Sequence, residues 1–471
     1  MIEHYPSQAL SGLTLAIATI LLLAWARWRS RPTLPLPPGP PSEFLLGHSR
    51  VIPKENAAAV YAKWSKEYNS DIIHVRSLGR STVVLNSADV ARDILDKKGA
   101  NFCDRPRFTL LKIMGWGKTL TFLPFGERWQ MHRKLLQTSF SNTNVRQWHS
   151  LQITEARRTI RNILKKPKTW ETSLRRLAVA IVLQVSYGTQ VLEDDDPYIQ
   201  IANDAMYATG NGGVPANSIV DLVPFVRYLP DCIVRDWSLR FARQWRWAIK
   251  KLHDVPFAAA QAEYHRDDHH RNTSLAHHLL REYKDKEFRG QEQQWSLDDI
   301  KGAAGAVFIA GADTTWATCV IFVLNMVLHP EIQEKAQQEL DAVIGTDRLP
   351  DFSDRPALVY IEHIVQEIYR TVVYANAYAM AHDERVYKNP HDFNPDRYEA
   401  GEPFPVGNFG FGRRVCVGRF LADNSVWIMV ATILSVLRFC KKMSSAASHP
   451  EHFDCVIKPR SLEAEALVKS D

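Results

Sequence analysis

The chain has 471 residues, 45% of them hydrophobic and 23% charged, which is enough apolar material for a large buried core. Its net charge of +6 is too small to point to nucleic acid. The six cysteines are scattered, with no C-x-x-C pair, which excludes a disulfide scaffold and matches a reducing compartment.

Leu10 to Ala26 is an apolar run of about 17 residues, short but able to cross a thin bilayer with help from its flanks. Glu3 precedes it, and Arg27, Arg29 and Arg31 follow. The positive-inside rule then leaves the N-terminus lumenal and everything after Arg27 cytosolic. A cleaved signal peptide is the alternative, but it wants a basic segment ahead of the run. Residues 1–30 are therefore expected to form a single membrane anchor. Pro32, Pro35, Pro37, Pro38, Pro40 and Pro41 make 31–41 a stiff, non-helical hinge. Residues 42–471 are expected to be one domain, because the chemistry-bearing stretches near Trp129, Asp313, Arg370 and Cys416 span most of it. On this topology the sequon Asn272-Thr273-Ser274 stays unmodified.

Ile72–Val75 and Thr82–Leu85 are β-branched runs separated by turn residues and predict a small hairpin. Helical periodicity dominates from there on. In Gly126–Arg133 the i, i+4 spacing puts Trp129 and Arg133 on one helix face and turns His132 elsewhere. Val214–Pro230, with three prolines among apolar residues, is either a second membrane-touching loop or a buried irregular connection.

Ser296–Asp299 has the form of a capping box and opens a long apolar helix that ends at His329-Pro330. Within it, Ala310-Gly311-Ala312-Asp313-Thr314-Thr315 sets small residues beside an acid and two hydroxyls. Gly311 and Ala312 would let a flat macrocycle lie against the backbone. Thr314 either donates to a ligand there or bends the helix by bonding back to a carbonyl. The helix Tyr360–Arg370 places Glu367 and Arg370 three apart on one face, and Arg397 further on offers a second guanidinium to the same carboxylate.

Directly after Arg370 the strand-like run Thr371–Ala375 abuts the helix with no Gly, Pro or Asn between them, an awkward join for a helix-to-strand connection. Phe409–Gly418 then sets Cys416 among glycines just ahead of the apolar stretch Phe420–Leu437. The glycines permit a tight turn that aims backbone N–H groups at the sulfur, and the positive end of the following helix favours the thiolate. A thiolate of this kind is a strong axial donor to haem iron, the ligand type that favours O–O cleavage.

The spacing F-x-x-G-x-R-x-C-x-G, filled by Phe409, Gly412, Arg414, Cys416 and Gly418, resembles the haem-binding loop of the cytochrome P450 monooxygenases. Trp129 and Arg133 match the family's W-x-x-x-R element. Ala310–Thr314 matches A-G-x-[DE]-T, Glu367 and Arg370 match E-x-x-R, and Pro37–Pro40 is similar to the hinge of microsomal members. The resemblance implies a mainly α fold with a small β region, behind one N-terminal membrane anchor. It implies Cys416 as proximal ligand of haem b, with Phe409 shielding the sulfur and Gly418 allowing close approach of the porphyrin; Gly412 completes the loop. Arg414, Trp129 and Arg133 would hold haem propionates, Asp313 and Thr314 would deliver protons, and Glu367, Arg370 and Arg397 would form a fold-locking triad.

The implied function is insertion of one atom of O2 into a small lipophilic substrate, a secondary metabolite or xenobiotic. Electrons would come from NADPH through a flavoprotein reductase, with cytochrome b5 as a second candidate donor, at the cytosolic face of the endoplasmic reticulum. Against the family pattern roughly thirty residues are missing after Arg370, a strand and hairpin that would line the substrate pocket. Either the reading frame skips a coding segment or the chain is a truncated paralogue. Two alternatives follow: a non-catalytic or impaired haem-binding paralogue, and an O2-independent haem-thiolate isomerase or dehydratase.

Overall fold

In the computed structural model, residues 18–20, 22–23, 26, 35–44, 46–53, 55–77, 80–213, 218–266, 272–371, 377–441, 453 and 455–470 are described. Most of the expected anchor lies outside them; residues 18–20, 22–23 and 26 are helical and exposed. Residues 35–41 of the hinge contain no helix, as their prolines require.

Residues 1–86 form one unit and 87–471 another. In the first, the hairpin forms where the β-branched runs predicted it. β1 (Ile72–Ser77) pairs antiparallel with β2 (Arg80–Leu85), Ile73 opposite Val84 and Val75 opposite Thr82. Ile73, Val75 and Val84 bury one side of it against Tyr61 and Trp64 of the helix Ala57–Glu67 and against Ile52 and Tyr68.

The second unit is helical apart from one further hairpin, β3 (Leu437–Lys441) with β4 (Cys455–Pro459), so the described residues are mainly α with two small sheets. Its axis is the helix Leu297–Leu328, opened by the predicted capping box: Ser296 Oγ accepts from Asp299 N, and Asp299 Oδ2 accepts from Ser296 N at 3.0 Å. Asp299 also takes Nε of Arg128 at 2.8 Å and Nε2 of the buried His132 at 3.0 Å. The cap thereby fixes the Glu127–Ser139 helix, and with it Trp129 and Arg133, against the start of the long helix. The long helix packs along Trp170–Tyr187, a helix most of whose residues are buried.

Two helices, Leu297–Leu328 and Arg419–Val436, are apolar and long enough to cross a membrane, but they supply much of the core of this unit. Of the two options for Val214–Pro230, residues 218–230 carry features of each, since Val220, Asp221 and Val226 are buried. They form a short helix, Ile219–Leu222, and a 3-10 turn, Pro224–Tyr228, with Phe225 63% and Tyr228 74% exposed.

Candidate active site

The Phe409–Gly418 loop is built to present one sulfur. Cys416 N–H donates to Phe409 O at 2.8 Å, closing the turn. Gly412 takes φ +61, and a Cβ there would lie 2.1 Å from the carbonyl oxygen of Leu95, so this position tolerates only glycine. Gly412 thus seats the loop on a neighbouring backbone and does not line the cavity described below. Burial pushes the Cys416 thiol up, while the Gly418 N–H on the sulfur, Arg133 and Arg419 pull it down. Its surface is open to a cavity more than to bulk solvent, so it counts as exposed by area yet is desolvated. Such a thiol is deprotonated when it ligates a metal cation. Among the described residues no group of three or more His, Cys, Asp or Glu is placed to hold a metal ion. A metal at Cys416 must bring its remaining ligands with it, as haem does.

The cavity beside Cys416 encloses about 1190 Å³, counting the part open to solvent. One wall is the Cys416 loop and the start of its helix, with Phe409, Arg414, Gly418 and Leu421; the other is the long helix, with Ala306, Ala310, Gly311, Thr314 and Thr315. Trp129 and Arg133 line it together, as their spacing predicted. A Cβ built at Gly418 would meet no atom within 4 Å, which leaves space for something lying against that backbone.

The polar rim asks for anions. Arg414 donates to the carbonyls of Cys103 at 2.7 Å and Leu123 at 3.1 Å and stacks 4.4 Å over the Trp129 ring. Its Nη2 and the Trp129 Nε1 are nevertheless buried with no hydrogen-bond partner. Orphaned buried donors are costly, and both belong to cavity-lining residues. Burial, with Arg105 nearby, pushes the Arg414 guanidinium down to about 10. Arg105 and Arg133 are lowered by burial too. Three desolvated guanidiniums on one apolar cavity suit the carboxylates of a haem, so the residues present fit that group. Arg105 went unnoticed in the sequence because it lies in an irregular stretch without a spacing partner.

On the long helix the expectations divide. Thr314 is exposed to the cavity, and its Oγ1 donates back to Ala310 O at 2.6 Å, the helix-bonding option. Asp313 lies elsewhere, in an open cleft with Asn203, Asp204, Tyr207 and Trp245. There it sits 3.9 Å from Arg175 Nη1, and burial raises its carboxyl while Arg175 opposes the shift. The structure therefore does not bring Asp313 and Thr314 to one cavity. A Cβ on Gly311 would lie 2.3 Å from Val182 Cγ1, so this glycine serves close helix packing as well as lining the cavity with Ala306 and Ala310; Ala312 is buried away from it.

The charged triad forms. Glu367, 0% exposed, accepts from Arg370 Nη2 at 2.5 Å and from Arg397 Nε at 3.3 Å. Tyr398 OH donates to its second oxygen at 2.7 Å. Arg397 is further balanced by Glu402 at 2.8 Å, a partner that sequence spacing did not reveal.

The profile of the family described as Cytochrome P450 matches this chain in two pieces, residues 37–372 and 371–464, which meet at the join after Arg370. A cytochrome P450 monooxygenase of Armillaria gallica is 30% identical over 511 aligned positions, covering 98% of this chain and 99% of the relative. That alignment is longer than the chain itself, so the relative carries residues missing here. Another, from Postia placenta, is 33% identical over 97% of this chain and 96% of its own length. A solved zebra fish cytochrome P450, described as a structure with progesterone, superposes with TM-score 0.69 at 21% identity over 86% of this chain and 99% of that one. The cavity, its single sulfur and these matches agree: the chain belongs to the cytochrome P450 family, among fungal relatives that are monooxygenases.

Proposed function

We propose that the protein binds haem b through Cys416 and hydroxylates a small lipophilic substrate, with electrons from NADPH delivered by a flavoprotein reductase or cytochrome b5. The observation that carries this is the cavity in which one desolvated thiol faces an apolar helix wall beneath a rim of unsatisfied Arg414 and Trp129 donors. Haem supplies the activation of O2, one atom of which enters the substrate while the other leaves as water.

The protein's part is to bind, orient and exclude water. Arg105, Trp129, Arg133 and Arg414 hold the carboxylates; Leu120, Ile181, Val182 and Ala306 keep the substrate side apolar. Thr314 holds a hydroxyl proton at the cavity wall, now engaged with Ala310 O. Asp313 passes protons from the open cleft, a role that requires its side chain to leave Arg175. Attachment to the endoplasmic reticulum membrane through residues 1–30 is supported by the apolar run, and contact of residues 219–237 with lipid by the exposed Phe225, Tyr228, Ile233 and Trp237.

The reading is tested by the difference spectrum of the reduced protein with carbon monoxide, then by NADPH consumption with reductase. A far-red Soret band with coupled hydroxylated product is expected; protein that stays colourless after haem supplementation overturns it. Arg414→Leu is expected to weaken haem retention by about 10- to 100-fold, measured as transfer of haem to an apoglobin.

A second reading, an impaired haem-binding paralogue, is supported by the break in the family match after Arg370 and by the relative's residues that have no counterpart here. It predicts the same band but no substrate-dependent NADPH consumption.

A further inference from the structure

Tyr369 stands between Glu367 and Arg370 in the chain, yet its side chain turns away from their ion pair toward the Cys416 loop. Its ring meets the Phe409 ring edge-on, with centroids 5.3 Å apart and an interplanar angle of 71°. Its hydroxyl donates to Asp423 Oδ1 at 3.2 Å. Asp423 also accepts from Arg355 Nη2 at 2.8 Å, and Arg355 is held by Glu362 Oε2 at 2.8 Å and by Asn424 Oδ1 at 3.2 Å. The Tyr369 ring is thus fastened between the Val359–Thr371 helix and the first turns of the helix that follows Cys416.

A phenylalanine would fill nearly the same space without the cost of burying a hydroxyl, so the hydroxyl calls for a reason. Burial raises the phenol well above its ordinary range, so at neutral pH it keeps its proton and remains a donor. What the clamp holds in place is Phe409, whose carbonyl takes the Cys416 amide proton at 2.8 Å and which lines the same cavity as the sulfur.

We propose that Tyr369 is a positioning residue for the Cys416 thiolate: anchored to Asp423 through its hydroxyl, it fixes the Phe409 ring beside the sulfur and keeps water and hydrogen-bond donors away from it. The proposal rests on the haem-thiolate reading above. Donors that reach a ligating sulfur weaken its push onto the metal and favour the reduced state, so loosening Phe409 raises the reduction potential.

The test is spectroelectrochemical titration of the full-length, haem-loaded protein, with the carbon monoxide band recorded alongside. Tyr369→Leu is expected to shift the ferric–ferrous equilibrium about tenfold toward ferrous, which is about 59 mV for one electron. Tyr369→Phe keeps the ring but frees it, and is expected to shift the potential the same way by less. Neither shift is expected to survive in a Phe409→Leu background, because there is then no ring to position. Unmoved potentials in both Tyr369 variants overturn the proposal, as does a shift of full size in the Phe409→Leu background. Should Tyr369→Leu fail to retain haem, Tyr369→Phe decides alone by the same criteria. A wild-type protein without the sulfur-ligated band overturns the haem-thiolate reading and the proposal with it; a normal band with unmoved potentials overturns the proposal only.

Discussion

Cys416→Ala is expected to abolish the far-red Soret band of the reduced, carbon-monoxide-bound protein completely while leaving the apoprotein folded. The two outcomes separate because the thiol faces the cavity and the hydrophobic core does not depend on it. Truncating a side chain outside the packed core changes folding stability by roughly 0.5 kcal/mol or less. Among the described residues lining that cavity, Cys416 is instead the one His, Cys, Asp or Glu side chain. Stability gained on haem binding follows mass action, about 4 kcal/mol when the ligand stands at a thousand times its dissociation constant. The wild-type protein should therefore melt well above its own apoprotein, and Cys416→Ala should lose most of that gap while the two apoproteins melt together. Thermal unfolding with and without added haem checks this. A persistent far-red band in the variant would remove the thiolate from the site.

How much of this was legible depends on how local the signal is. Trp129 with Arg133, and Glu367 with Arg370, are spacings on a single helix, and a helix converts spacing into geometry almost without outside help. The β1–β2 hairpin and the Ser296–Asp299 cap are local in the same sense. Asp313 and Thr314 are neighbours on one helix yet line different spaces. Neighbouring residues on a helix point about 100° apart, and here the cavity wall takes Thr314 with Thr315 while Asp313 turns toward the open cleft. Ala312 shows a second limit, because a small residue looks the same in sequence whether it faces a cavity or the packed core. Arg105 and Asp423 come to their partners through tertiary folding, and Glu402 reaches Arg397 across an irregular turn, so no helix spacing announces them. Tyr369 was hidden differently, inside a motif whose pattern leaves its position free.

Glu367→Ala is expected to be the most destabilising single substitution in the protein. It leaves Arg370 and Arg397, both 2% exposed, without the carboxylate that faces them. It also leaves Tyr398 OH and the Asn394 amide without their acceptor. Breaking a buried ion pair from one side costs about 3–5 kcal/mol, a large part of the roughly 5–15 kcal/mol by which a folded domain is stable. Loss of soluble protein, or a melting temperature lowered by many degrees, is the expected readout. Glu367→Gln keeps an acceptor and loses only the charge, so it should fall between the two. The same cluster bears on the join after Arg370. Besides Glu367, the Arg370 guanidinium donates to the carbonyls of Ala381 at 3.1 Å, Pro390 and Asp392 at 2.7 Å. Those carbonyls all lie beyond the join at which the two pieces of the family match meet, so the chain on its far side is tied back to the Val359–Thr371 helix by side chain. Arg370→Leu should accordingly loosen residues 381–392 as well as the triad, seen as faster amide exchange there. If Glu367→Ala melts within about 1 kcal/mol of the wild type, the triad holds nothing together.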